Sequence, residues 1–254
     1  MYAGSDQGNN RSTAFNIKKT SVNPMTSNEE LEKYKKEAAE KAVEYLDSGM
    51  VVGLGTGSTV KYALLKIGEL IASGSLDIVG IPTSKQTEDL AKKLNIPLTD
   101  LEDHPVIDIT IDGADEVDPN FVLIKGMGGA LLREKIVARN SKKEIIIVDH
   151  SKIVKILGTR SPLPVEVLPF GWTATYKFLQ GCGCTVEPRK KDSALLVSDN
   201  GNYFLDCKFE KIDDPASMEI EINNFPGVIE NGLFVGLTNI VIVASRNGIE
   251  ELFC

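Results

Sequence analysis

The sequence predicts an α/β protein: a Rossmann-like parallel-sheet domain carrying a smaller, inserted ferredoxin-like α+β domain. Two changes of texture lead there. Between residues 50 and 148, short apolar runs alternate with amphipathic stretches, the βαβα pattern of a parallel sheet covered by helices on both faces. After Pro162 the pattern becomes β, α, β, β, β, α, β, and a dense apolar run at 240–244 then resembles the first region rather than the second. The expected organisation is a disordered tail at 1–27, a Rossmann-like domain from 28–161 plus 237–254, and a ferredoxin-like α+β domain at 162–236. With 254 residues, 42% of them hydrophobic and 25% charged, the chain can bury a core without covalent staples.

The elements follow in order. Residues 1–27 are rich in Asn, Ser, Thr and Gly and lack the apolar stretch of a secretory signal, hence the disordered reading. Arg11, Lys18 and Lys19 against Asp6 leave a weak organellar transit peptide as the alternative. Ser27 stands three residues before Glu30 as a capping box, opening a helix to Tyr45 that stops before Gly49. A strand is expected at 50–54, and Val60, Leu64, Ile67 and Ile71 recur at helical spacing behind it. Residues 77–81 read as strand and 85–94 as helix. In 106–111, Ile107, Ile109 and Ile111 share one face, and 144–148 is a buried strand. In the second region strands are expected at 165–168, 185–188, 194–198, 203–209 and 228–234, with helices at 173–179 and 215–222. The turn at 199–202 makes a hairpin of the middle pair, and Asp214 before Pro215 starts the second helix.

Composition excludes several function classes. A net charge of −8, from 36 acids against 28 bases, repels long polyanions but permits a basic pocket for one small phosphate, so nucleic acid is not an expected partner. Cys182, Cys184, Cys207 and Cys254 are too sparse for a disulfide scaffold and form no CxxC pair, which points to a reducing, cytoplasmic setting. Neither His104 nor His150 has a second histidine at ligand spacing, so no metal site is expected. No window approaches the ~18 uncharged apolar residues of a membrane span.

Three segments carry chemistry. Gly53, Leu54, Gly55, Thr56, Gly57, Ser58 and Thr59 join a strand to a helix, and glycines there let a ligand approach backbone N–H groups at a helix start. This is a phosphate cradle, or a turn shaped by strand-to-helix geometry alone. It is no P-loop, and it lacks the third glycine of the dinucleotide fingerprint and the ribose-binding acid after the next strand, which argues against a hydride-transferring dehydrogenase. Asp112, Gly113, Ala114, Asp115 and Glu116 follow a strand, where ligands bind beyond the carboxyl ends of a parallel sheet. Those carboxylates suit sugar hydroxyls or proton transfer, although Glu116 and Asp118 read equally well as a solvated turn. Lys125, Gly126, Met127, Gly128 and Gly129 form a cation and flexible loop ahead of a helix in which Glu134 lies four residues from Ala130 and Ala138. Small apolar neighbours would desolvate Glu134 and raise its pKa toward that of a working base; alone, it is an ordinary helix-surface glutamate. A weaker fourth segment is Asp149, His150, Ser151, Lys152, in which Lys152 suits a phosphate.

Together the segments GLGTGST, DGADE, KGMGGALLREK and DHSK, followed by PLPVEVLP, SDNGN and PGVIENGLF, resemble the A-type ribose-5-phosphate isomerases over about 31–253. GLGTGST alone is shared with coenzyme A transferases and hexosamine-phosphate deaminases, but the deaminases use a catalytic histidine and neither histidine here falls in GLGTGST, DGADE or KGMGGALLREK. The departures are Met127, where the family often has another small or polar residue, and the long polar N-terminus. The resemblance implies interconversion of D-ribose 5-phosphate and D-ribulose 5-phosphate, in the non-oxidative pentose phosphate pathway, without metal or organic cofactor. It implies Glu134 as the base, Lys125 with the N–H groups of 126–129 as stabilisers of negative charge, and Asp112 and Asp115 as substrate-hydroxyl and ring-opening acids. It further implies substrate binding by Thr56, Gly57, Ser58 and Thr59, by Gly113 and Ala114, and by Gly126, Met127 and Gly128, with Lys35 and Lys152 at the phosphate. A homodimer or homotetramer is the implied assembly. A non-catalytic sugar-phosphate sensor is opposed by base, cation and acids occurring together, and by the lack of a basic segment to read DNA.

Overall fold

The computed structural model describes residues 28–254; the tail at 1–27 and the Ser27 cap lie outside the described residues. Helix α1 (Asn28–Val43) is followed by β1 (Val51–Leu54), α2 (Val60–Ala72), β2 (Val79–Pro82), α3 (Lys85–Lys93) and β3 (Ile109–Asp112). Two short strands, β4 (Glu116–Val117) and β5 (Leu123–Ile124), precede α4 (Leu131–Arg139) and β6 (Glu144–Asp149). Then come β7 (Leu163–Val167), α5 (Trp172–Gly181), β8 (Thr185–Pro188), β9 (Lys190–Lys191), β10 (Ala194–Leu195), β11 (Tyr203–Lys208) and α6 (Pro215–Asn223). The chain closes with β12 (Val228–Asn231), β13 (Leu233–Phe234), β14 (Ile240–Ser245) and β15 (Gly248–Phe253).

The large sheet has the order β15-β14-β6-β3-β1-β2, parallel throughout except for the edge strand β15. Alternation along β6 and β14 explains how both faces are covered. Ile145, Ile147, Ile240 and Ile242 point to the core shared with α1 and α2, while Ile146, Val148, Val241 and Val243 point to a second core that includes Ala138 of α4. Each of those isoleucines is worth about 1.5–3 kcal/mol on full burial, which is why three in succession tolerate only a strand covered on both sides. The second sheet, β12-β7-β11-β8, is antiparallel with α5 and α6 as its crossovers, the ferredoxin-like order. After it the chain returns to the large sheet through β14, which pairs with β6.

The differences from expectation are local. The helix expected to reach Tyr45 ends at Val43, and Ile107 makes only an isolated bridge to Ser141, so β3 begins at Ile109. The strand expected over 228–234 is two strands in two sheets: at Gly232, whose N–H donates to the Pro164 carbonyl and whose carbonyl accepts from Lys125 N, the chain changes partner, and a Cβ there would lie 2.3 Å from the Lys125 carbonyl oxygen. The hairpin expected across 199–202 is reduced to its tip: Ser198 N–H donates to the Asn202 carbonyl at 2.8 Å and Val197 bridges antiparallel to Tyr203, while β10 pairs with β9. Buried Glu166 also holds that turn, accepting from Ser198 Oγ at 2.7 Å, Asn202 Nδ2 at 2.9 Å and Asn200 Nδ2 at 3.1 Å. Among the described residues, no helix is long and apolar enough to cross a membrane.

Candidate active site

From β1 the chain moves to one side for β2 and to the other for β3, so the topological switch point lies between β1 and β3. The loops leaving both strands therefore flank a crevice at their carboxyl ends, and they touch. A Cβ on Gly55 would sit 2.2 Å from Asp112 Oδ1, so only glycine lets the loop pass. Asp112 Oδ1 accepts from Thr56 N at 3.1 Å and Gly113 N at 2.7 Å. The Thr56 hydroxyl is drawn into a cluster with Thr83 (2.7 Å) and Ser84 (2.8 Å), just after β2, and Thr87 (3.1 Å) in the first turn of α3. Beyond it Gly57, at φ +130°, Ser58 and Thr59 lead into α2, and their N–H groups donate to no protein acceptor among the described residues.

The β4–β5 hairpin delivers Lys125 to the floor of the crevice. It is 2% exposed, its Nζ donates to the Gly113 carbonyl, and it stands 3.1 Å from Asp112 Oδ2 and 3.6 Å from Glu134 Oε2. Burial opposes its charge, but the carboxylates of Asp112, Glu134 and Glu144 outweigh burial and raise its pKa, so Lys125 is an ammonium. Glu134 lies in the first turn of α4, between buried Ala130 and Ala138. Burial pushes its pKa up to about 8; Lys125 pulls it down, while Asp112 and Asp115 push it further up. Burial likewise raises Asp112 against the pull of Lys125. Buried Lys135, the next residue of α4, pairs with Glu219 (3.0 Å) and Glu230 (2.8 Å), anchoring that helix to the second sheet's layer. Glu134, Lys125 and Asp115 line a cavity of about 240 Å³ together with Gly57, Ser58 and Thr59.

A family model described as ribose 5-phosphate isomerase A (phosphoriboisomerase A) matches residues 79–248. The ribose-5-phosphate isomerase A of Desulfatibacillum aliphaticivorans is 53% identical over 90% of this chain and 99% of its own. The chain belongs to the ribose 5-phosphate isomerase A family. A probable ribose-5-phosphate isomerase 2 of Arabidopsis thaliana is 47% identical over 94% of this chain and 92% of its own. Among solved members, a D-ribose-5-phosphate isomerase in complex with phospho-erythronic acid superposes with a TM-score of 0.86 at 44% identity, covering 88% of this chain and 99% of that one. The Plasmodium falciparum ribose 5-phosphate isomerase gives 0.86 at 45%, with the same coverage.

In this member of the ribose 5-phosphate isomerase A family, the cavity gathers most of the residues singled out by sequence. Its walls are Lys35 and Lys152 on one side, Thr56 and the three residues after it, Gly113, Ala114 and Asp115, and Lys125, Gly126, Gly128 and Glu134. Two residues do not face it. Asp112 is 0% exposed, packed against Gly55, with its Oδ2 3.1 Å from Lys125 Nζ. Met127 is 44% exposed, its Sδ lying 3.7 Å from Arg189 Nη2, and its backbone N–H donates to Asp115 Oδ2 at 3.0 Å. Sequence reasoning missed Val60, which lines the cavity, and the hydroxyls of Thr83, Ser84 and Thr87 that seat Thr56. A hydroxyl run at the end of a strand beside the switch point was the available signal. Glu144, at the start of β6, is 1% exposed, and burial together with Asp112 raises its pKa well above the ordinary range against the pull of Lys125. Among the described residues no group of three or more His, Cys, Asp or Glu is placed to hold a metal ion.

Proposed function

We propose that this chain interconverts D-ribose 5-phosphate and D-ribulose 5-phosphate by moving one proton between C2 and C1, with Glu134 as the base. The observation that carries the reading is the pairing of Glu134 with an obligate ammonium, Lys125, in one small cavity. In the open aldose, the Glu134 carboxylate takes the C2 proton, the C1–C2 enediolate forms, and negative charge collects on O1. Lys125 and the loop N–H groups stabilise that charge as a preorganised oxyanion site. Transfer of the 2-hydroxyl proton to O1 and return of the carboxyl proton to C1 completes the ketose, so every proton is conserved. The free N–H groups of Gly57, Ser58 and Thr59 at the start of α2, with Lys35 and Lys152, form the end suited to the phosphate. Lys35 is paired with Glu32 at 2.6 Å and must exchange that partner to bind it. Asp115, fixed by the Met127 N–H, is placed for ring opening or hydroxyl binding. Asp112 supports Lys125 from below.

Purified protein should convert ribose 5-phosphate to the ketose, and dialysis against EDTA should leave the rate unchanged because Lys125 supplies the positive charge. No turnover, or turnover restored only by a divalent cation, would sink the reading. The same proposal carries a cytoplasmic homodimer or homotetramer. Light scattering on the same sample that returned only the 27.6 kDa monomer would remove that part.

The rate should also depend on pH. A base with its pKa raised to about 8 is protonated and idle below that pH, so kcat/KM should rise with pH through this region. Because Glu134 lies beside Asp112 and Lys125, the midpoint belongs to the cluster. A rate that stayed flat on both sides of this region would exclude Glu134 as the titrating base.

A further inference from the structure

Arg189 follows β8 in the small domain, yet its side chain ends on the active-site loop. Its backbone is fixed on both sides, N–H donating to the Phe204 carbonyl at 2.9 Å and carbonyl accepting from Leu196 N at 2.9 Å. Asp206 of β11 takes the guanidinium as a fork: Nε reaches Oδ2 at 2.9 Å, and Nη2 donates to Oδ1. The remaining edge turns to the loop, Nη1 donating to the Gly126 carbonyl at 2.8 Å and the Met127 carbonyl at 3.2 Å. The guanidinium lies 4.8 Å from the Phe204 ring centroid, and the side chain is 10% exposed.

These two carbonyl contacts set the direction of two N–H groups. In a trans peptide the C=O and the following N–H point to opposite sides, and the described chain contains no cis bond. Drawing the Gly126 carbonyl toward Arg189 turns the Met127 N–H the other way, where it holds Asp115 Oδ2 at 3.0 Å. Drawing the Met127 carbonyl toward Arg189 turns the Gly128 N–H away from the guanidinium. Gly128 lines the cavity, and its N–H donates to no protein acceptor among the described residues. Gly126 at φ +111° and Gly129 at φ +77° shape the loop, whose Gly126 carbonyl also accepts from Gly129 N at 3.0 Å, whereas the Met127 carbonyl is held by Arg189.

We propose that Arg189, clamped by Asp206, is a positioning residue for the isomerisation: it aims the Gly128 N–H at the oxygen that gains charge in the enediolate and holds Asp115 at the cavity wall. The inference rests on the isomerase reading above. It explains why an arginine stands here: one planar fork satisfies a carboxylate and two carbonyls at once, whereas a lysine is a point charge without that geometry.

The test compares wild type with Arg189→Met, Arg189→Lys and Asp206→Asn, measuring kcat, KM, melting temperature and the inhibition constant for phospho-erythronic acid, whose planar carboxylate mimics the enediolate. Removing one oxyanion donor typically costs about 10² to 10³ in rate. A donor misaimed rather than deleted should cost less, about tenfold to a hundredfold in kcat for Arg189→Met. KM should change little, and inhibition by phospho-erythronic acid should weaken in parallel with kcat. Arg189→Lys should keep most of the defect, since it retains charge but not the fork. Asp206→Asn, the mildest change to folding, should show a smaller shift of the same kind. The proposal fails if Arg189→Met matches wild type, if Arg189→Lys restores full kcat, or if KM, inhibition and melting temperature all move together, as general loosening would produce. An inactive wild-type protein would instead sink the isomerase reading, which keeps the two failures apart.

Discussion

Glu134→Gln should lower kcat by about 10² to 10⁴, the usual worth of a positioned general base, while KM stays near the wild-type value. The substitution keeps the side chain's size and its reach to Lys125, 3.6 Å away, but removes the basic lone pair. Its second consequence follows from the buried site. Because burial raises the Glu134 pKa, the folded state binds this proton more tightly than the unfolded chain does. That term stabilises the fold at low pH and is lost as pH rises through about 8, so the neutral amide should flatten this part of the stability profile. Solvent deuterium exchange at C2 is an independent measure: it should vanish in the variant. Near-normal turnover and exchange would transfer the base role to Asp115, the other carboxylate lining the cavity.

Lys125→Met should damage both activity and stability. Loss of the ammonium that receives the enediolate charge should cost about 10² to 10³ in kcat, the scale of a deleted oxyanion donor. It also strands Asp112, 0% exposed and 3.1 Å from the missing Nζ. Breaking a buried pair from one side typically costs about 3–5 kcal/mol. Asp112 escapes by taking up a proton, and its folded-state pKa, already raised by burial, rises further without the cation. The stability deficit should therefore shrink as pH falls and widen as it rises. Thermal melts across pH beside turnover would show this; a deficit independent of pH would mean that Asp112 does not depend on Lys125 for its charge.

Much of the site was legible because its signals are local. Gly55, Thr56 and Gly57 between an apolar strand and an amphipathic helix, and acids directly after Ile109 and Ile111, identify loops at strand ends whatever the remaining chain does. The two-residue strands β4 and β5 escaped notice because so short a run has no periodicity to detect, although their hairpin presents Lys125. The 199–202 turn closes as its residue types predict, but nothing local to it reveals that Glu166, more than thirty positions away, also holds it. Nor does DGADE reveal which of its acids faces a ligand: Asp112 is sealed by the Gly55 contact, an approach between loops more than fifty positions apart.

The sequence by itself determined the class of fold, the two textures of chain and the identity of the chemical groups, because periodicity, glycine spacing and strand-end acids act over a few residues. Only the tertiary structure decided the switch point between β1 and β3, the inward turn of Glu134 and the burial that raises its pKa, the burial of Asp112 against Lys125, and the reach of Arg189 onto the loop. Those outcomes depend on which distant segments exclude water from one another. Desolvation and peptide orientation are set by the assembled neighbours, not by residues adjacent in the chain.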